Sequence, residues 1–185
     1  YELSSYFNNP YAHFMLGNLY SNGDILNINL LQAINYFSKS IKINSGEKIK
    51  TKNPMNNQIS FSYMNNNYRY ISYNSLGLIY MTILKNVQKA EDNLKESAFA
   101  EYPFGQNNFG LFSQFYLNKV ANAEYMYERS SKHNFSLAEY NLGYLKEIDK
   151  KPSESIQYYI QASDHVNEPL VYRDTHYDDK RLEIS

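Results

Sequence analysis

The 185-residue sequence contains no cysteine and no tryptophan, and only 7 glycines and 5 prolines. Without cysteine there is no disulfide, no thiolate metal site and no cysteine nucleophile, though this leaves the compartment open. So few glycines and prolines argue against a sandwich or barrel, whose tight turns use both. Charge is equally sparse: the formal net charge is −1, which excludes the basic footprint of a nucleic-acid binder. No apolar run approaches the roughly 18–20 residues of a membrane-spanning helix, so no span is expected within this segment. The chain opens on Tyr1 instead of Met and reads as an internal portion of a longer protein.

What is present is apolar and aromatic. Hydrophobic residues make up 43% of the chain, aromatics 16%, with 20 tyrosines. That is enough to build a packed core and rules out wholesale disorder. The abundance of Asn, Ile, Lys and Tyr reads as the codon usage of an A+T-rich genome, and on that reading the Asn-rich stretches carry little weight.

The dominant signal is self-similarity. A small residue, an apolar residue four places on and a glycine directly behind it recur as Ala12/Leu16/Gly17, Ser72/Leu76/Gly77, Gly105/Phe109/Gly110 and Ala138/Leu142/Gly143. Gly77, Gly110 and Gly143 are spaced by 33 residues. A second motif follows each glycine: Ala33, Ala90, Ala123 or Ser155, with bulky residues at +3 and +4 in most copies and a small residue at +7, as in Ala162. Spacings of 3, 4 and 7 define one face of an α-helix. A glycine inside a helix costs about 1 kcal/mol relative to alanine, so its recurrence in register points to close helix approach. A helix pair repeated at such a period cannot bury its apolar face alone and stacks with its neighbours. The pattern therefore predicts an all-α solenoid of about four antiparallel helix pairs. The first helices are expected near 11–21, 68–83, 104–116 and 136–148, the second near 29–43, 86–99, 118–132 and 152–164. Packing positions are assigned to Ala12, Gly17, Ala33, Gly77, Ala90, Gly110, Ala123, Gly143 and Ala162.

The first copy resembles the Sel-one-like repeat family, which is related to the tetratricopeptide repeat. Ala12, Leu16-Gly17, Tyr20, Gly23, Leu26, Ala33, Tyr36-Phe37 and Ser40-Ile41 stand where that family places its small, Leu-Gly, aromatic and glycine positions. The later copies have shorter intervals between the two motifs and drift toward the tetratricopeptide form. The segments Ala90–Phe109, Ser136–Glu147 and Tyr158–Ser163 look like the last repeats of the luminal adaptor of the Hrd ubiquitin ligase, which serves endoplasmic-reticulum-associated degradation. They depart from it in lacking a second glycine after the first helix and a following membrane segment. The resemblance implies a non-catalytic scaffold that binds other proteins, within a multisubunit complex. That complex would be a degradation ligase in the endoplasmic reticulum or, alternatively, a large assembly that the chain braces. It also implies a concave face formed by positions −6, −3, +1 and +4 from each packing glycine. The protein-binding residues expected there are Tyr11, Phe14, Ile71, Leu78, Phe104, Leu111, Leu137, Tyr140 and Tyr144.

No chemistry-bearing constellation stands out, and no enzyme activity, catalytic residue or cofactor is expected. His13, His133, His165 and His176 offer no i, i+4 pair for zinc. Asp174–Asp179 has metal-capable side chains without the spacing of a known loop, and no metal ligands are assigned. Phosphate-loop, nucleophile-elbow and dinucleotide motifs are absent. Asn134-Phe135-Ser136 matches the N-glycosylation pattern, at the frequency chance predicts. Two segments lie outside the periodicity. An Asn/Lys-rich insertion at about 44–67, with Lys48, Lys50 and Lys52, reads as a solvated loop or, alternatively, as a basic docking loop. The charged tail 165–185 reads as a polar cap or linker closing the array over residues 1–164 or, alternatively, as a partner-binding extension.

Overall fold

The computed structural model describes residues 9–23, 27–43, 48–52, 59–63 and 67–166. Four helical pairs follow in order: α1 (Pro10–Asn22) with α2 (Leu30–Lys42), α3 (Asn67–Thr82) with α4 (Val87–Phe99), α5 (Pro103–Phe115) with α6 (Val120–Ser131), and α7 (Ser136–Ile148) with α8 (Pro152–His165). Each boundary lies within two residues of the one read from the periodicity. Local chemistry sets the ends. Pro10, Pro103 and Pro152 occupy the first turn, where the missing N–H costs nothing. Asn9, Asn29 and Asn86 cap α1, α2 and α4, each side-chain oxygen accepting a first-turn backbone N–H at 3.0–3.1 Å. Gly23 ends α1 at φ 76°. After the first helices of the later pairs, Lys85, Asn118 and Lys150 take the same left-handed conformation at φ 52–58°, which supplies physically what the missing second glycine would have supplied.

Within each pair, the glycine of the first helix lies under a bulky side chain of the second. A Cβ on Gly17, Gly77, Gly110 or Gly143 would come within 2.5–2.7 Å of Phe37, Leu94, Tyr127 or Tyr159 respectively. These four are the +4 residues of the second motif, so close approach and large filler belong to one design. The small +7 residue does more than leave room. Ser40, Ser97 and Ser130 donate their hydroxyls to the backbone carbonyls of Pro10, Tyr70 and Pro103 at 2.8–2.9 Å. These bonds tie the end of the second helix to the N-terminal part of the first in each of these three pairs. Ala162 holds that position in the last pair and is half-buried.

The apolar core lies between pairs as well as within them. One cluster joins Ala33 and Phe37 of α2 to Leu76 and Ile79 of α3. A second joins Ala90, Leu94 and Ala98 of α4 to Phe109 and Phe112 of α5 and Met126 of α6. A third joins Ala123 and Tyr127 of α6 to Ala138, Leu142 and Leu145 of α7. α2, α4 and α6 therefore each pack on the first helix of the next pair, and stacking completes a core that one pair cannot close.

The insertion contains regular structure that composition did not reveal. β1 (Lys48–Lys52) and β2 (Ile59–Tyr63) pair antiparallel, with Lys48 opposite Tyr63, Lys50 opposite Phe61 and Lys52 opposite Ile59. Both segments alternate with period two and hold β-branched or aromatic residues, which is strand chemistry. A reading based on Lys and Asn content overlooked that alternation. The expectation for the tail falls, beyond His165 and Val166, outside the described residues.

Candidate functional site

The first helices supply the surface that sequence spacing singled out, and exposure along it changes from pair to pair. In α1, Tyr11 and Phe14 sit against Tyr68 of α3, with ring centroids 5.0 and 5.8 Å apart, and Phe14 also tilts on Phe37. Ile71, Leu78 and Leu111 are half-buried, and Leu111 packs on the cluster around Tyr127. Phe104 is partly exposed and tilts on Phe135 at 4.6 Å. In α7 the same positions open to solvent: Leu137, Tyr140 and Tyr144 are 56%, 54% and 41% exposed. Tyr140 keeps one ring neighbour, Tyr159, at 5.5 Å. The structure thus brings the α1 residues into the joint with α3 and gathers Leu137, Tyr140 and Tyr144 into one open apolar stripe.

Asparagine occupies the −3 position in the middle pairs and is buried. Asn74 accepts from Asn108, and Asn107 accepts from Asn141, both at 2.9 Å and both across 34 residues. This ladder fixes the register of successive first helices, and each −3 side chain pairs with the −2 side chain of the next repeat. A buried amide left unpaired is costly, so the ladder opposes slippage between pairs. The overall abundance of asparagine hides the ladder in the sequence; the signal for it is the recurrence of asparagine at one offset from the glycine.

Charge on this face is confined to the last pair. Glu147 accepts from the Tyr159 hydroxyl at 2.8 Å, and burial, followed by the hydrogen bond to Glu147, pushes the Tyr159 phenol up. On the other side of α7, Lys146 pairs closely with Glu124 and lies 3.6 Å from Glu154. Its hydrogen bond to Glu124 holds its pKa above the usual lysine value. Glu139, almost fully buried, meets Nδ1 of His165 at 2.7 Å, clasping α8 to α7. In α1, His13 is buried against Tyr36, and burial, with Lys39 nearby, lowers its pKa. Among the described residues no three His, Cys, Asp or Glu side chains converge where an ion could bind. No helix among them is long and apolar enough to cross a membrane.

Comparison with known proteins agrees with this architecture. Residues 10–45 and 136–167 match the family model of the Sel1 repeat, a repeat class that generally scaffolds other proteins without catalysis. A protective antigen of uropathogenic Escherichia coli, solved as an SLR fold, is similar over 90% of this chain and 32% of its own, at TM-score 0.62 and 17% identity. A Sel1 repeat protein from Oxalobacter formigenes is similar over 85% of this chain and 59% of its own, at TM-score 0.64 and 18% identity. MamA is similar over 86% of this chain and 79% of its own, at TM-score 0.56 and 18% identity. The chain thus spans less than two thirds of the first two neighbours, and at these identities the likeness concerns the fold. No curated protein matches the chain.

Proposed function

We propose that this array of Sel1 repeats is a non-catalytic scaffold that holds another protein along its first-helix face, as part of a multisubunit complex. One observation carries the reading. Of the sixteen residues at −6, −3, +1 and +4 from the packing glycines, only Glu147 is charged, and in α7 the stripe stays more than two-fifths exposed at each of its aromatic and aliphatic positions. Contiguous exposed apolar surface marks interaction sites, and tyrosine is enriched among the residues that dominate interface energy. The narrower expectation of a degradation-ligase adaptor finds no support in the comparisons, and the scaffold reading does not require it.

The test is the double variant Tyr140→Ala/Tyr144→Ala. Quantitative crosslinking of the native complex should show loss of the partner that wild type retains, while the melting temperature barely moves. A large loss of stability with unchanged partner recovery would make these residues ordinary packing and refute the surface. A second feature favours bracing. Ile83, Leu84 and Val87 about the turn from α3 to α4, and Phe115, Tyr116 and Val120 about the turn from α5 to α6, are each more than two-fifths exposed. On the bracing reading, Phe115→Glu releases the chain from its assembly while the Tyr140/Tyr144 variant does not.

A further inference from the structure

The turns that close the second, third and fourth pairs carry charge of one sign beside their apolar side chains. They fall at one end of the array. In each pair the second helix runs back along the first, as the glycine contacts and the Ser97 and Ser130 bonds require. The asparagine ladder then holds α3, α5 and α7 in register. Leu84, Phe115 and Ile148, one from each turn, are 45%, 65% and 56% exposed. A lysine accompanies each, and Lys85, Lys119 and Lys150 are all exposed. Residues 83–89, 115–122 and 148–153 together hold five lysines and one acid, Asp149, in a chain whose net charge is −1. None of Lys85, Lys119 and Lys150 forms an ion pair with a described residue. At the opposite end, by contrast, Arg129 donates to Glu101 at 2.9 Å and the two charges offset each other. Lys85 and Lys150 also hold left-handed turn positions, at φ 52° and 58°. Glycine would sit there without strain, so folding alone does not select lysine. Every residue from 68 to 166 is described, and the turn of the first pair forms no part of this surface.

Exposed apolar side chains on turns, each beside an unpaired lysine, match one kind of surface. They sit at helix ends, not in a groove between helices where a partner's helix would lie. An anionic bilayer takes apolar side chains into its headgroup boundary and attracts lysines at its surface. We propose that the turns of the second to fourth pairs seat this end of the array on an anionic membrane surface. Leu84, Phe115 and Ile148 enter the headgroup boundary, and Lys85, Lys119 and Lys150 meet the negative lipid headgroups. The helices then stand end-on to the bilayer, which leaves the first-helix face open to its partner. The proposal assigns to a lipid the turns considered above for bracing, and it does not rest on the first-helix reading.

The experiment uses the full chain and vesicles of phosphatidylcholine, alone or mixed with phosphatidylserine in roughly equal parts. The chain has no tryptophan, so Phe115→Trp places a single fluorophore at the proposed contact. Phe99→Trp, at the exposed far end of α4, places one at the opposite end as the control. Wild type should co-sediment with the mixed vesicles and bind phosphatidylcholine alone at least about tenfold more weakly. Added salt should weaken the binding. Emission of Phe115→Trp should shift to the blue and be quenched by brominated acyl chains, and that of Phe99→Trp should do neither. Lys85→Gln/Lys119→Gln/Lys150→Gln should weaken binding about a hundredfold, at about fivefold for each charge, and the corresponding arginine variant should retain it. Absence of binding to the mixed vesicles would overturn the proposal. So would equal binding to phosphatidylcholine alone, equal quenching of the two fluorophores, or full binding by the glutamine variant. Release of the chain from a protein complex by Phe115→Glu, without vesicle binding by wild type, would make these turns a protein interface and exclude the lipid. Tyr140→Ala/Tyr144→Ala should leave vesicle binding unchanged, so failure here and failure of the scaffold reading are told apart.

Discussion

Gly110→Ala tests the packing logic most directly, because two effects of opposite sign meet at one residue. Alanine in place of glycine inside a helix is worth about 1 kcal/mol in propensity. Against that, the new methyl would lie 2.5 Å from Cε1 and 2.7 Å from Cδ1 of Tyr127, far inside van der Waals contact. The ring has nowhere to go: Tyr127 has no exposed surface, and its hydroxyl donates to Gln114 at 2.9 Å. Relief requires α6 to move off α5, and overpacking of this kind costs about 1–3 kcal/mol. The net expectation is destabilisation by about 1–2 kcal/mol once the propensity gain is deducted. Gly143→Ala is the internal comparison. Its methyl would lie 2.7 Å from Tyr159, but that ring is only half-buried on α8 and can swing outward at the loss of its exposed hydrogen bond to Glu147, so the two effects should nearly cancel. Urea unfolding of the two variants measures the difference, with Gly110→Ala in a Tyr127→Ala background as the cycle that isolates the contact. A Gly110→Ala protein as stable as wild type, or a cost undiminished without the Tyr127 ring, would refute the close-approach argument.

Three further outcomes follow from other features. Ser130→Ala removes the buried bond to the Pro103 carbonyl and should cost about 1 kcal/mol by chemical denaturation. Lys150→Gly relieves a side chain held at φ 58° and should stabilise by about 1 kcal/mol, visible as a raised melting temperature. The lowered pKa of His13 means that on acidification the unfolded chain takes up that proton first. Its contribution to stability is therefore complete above the ordinary value of 6.5 and is lost as pH falls below it toward the folded pKa. His13→Gln should flatten that part of the pH–stability profile; an unchanged pH dependence would show that His13 does not titrate on unfolding.

Helix number, order and limits were legible because the code for them is redundant. The glycine, the small residue at −5 and the bulky +4 partner state the same packing in three places, so one departure such as Ser155 does not hide it. The exposure of the proposed binding residues was not legible. Phe14 and Tyr140 hold equivalent positions, yet Phe14 is covered by Tyr68 and Phe37 while Tyr140 is open. That difference depends on which neighbour follows in the stack. Asparagine was the main misreading. Asn9, Asn29 and Asn86 cap helices and Asn74, Asn107, Asn108 and Asn141 form the ladder. An amide's worth lies in the groups it meets, which composition cannot show. The ribbon was hidden similarly, since alternation over five residues is faint beside a run of Lys and Asn.

The position of that ribbon also says what kind of addition the array can accept. The link from α4 to α5 has three residues, Ala100–Tyr102, whereas that from α2 to α3 has 24, residues 43–66. Its two ends are nonetheless brought together by the cluster joining Phe37 to Leu76 and Ile79. Closing the longer loop costs about 2 kcal/mol more, three doublings at about 0.6 each, which is less than the loss from truncating a single buried aromatic. A loop tied at both ends by such a joint can therefore lengthen or shorten at small cost to the rest of the stack. In this chain the links within pairs run from three residues (149–151) to seven (23–29), and the one long link among the described helices falls between pairs, where the joint holds both its ends.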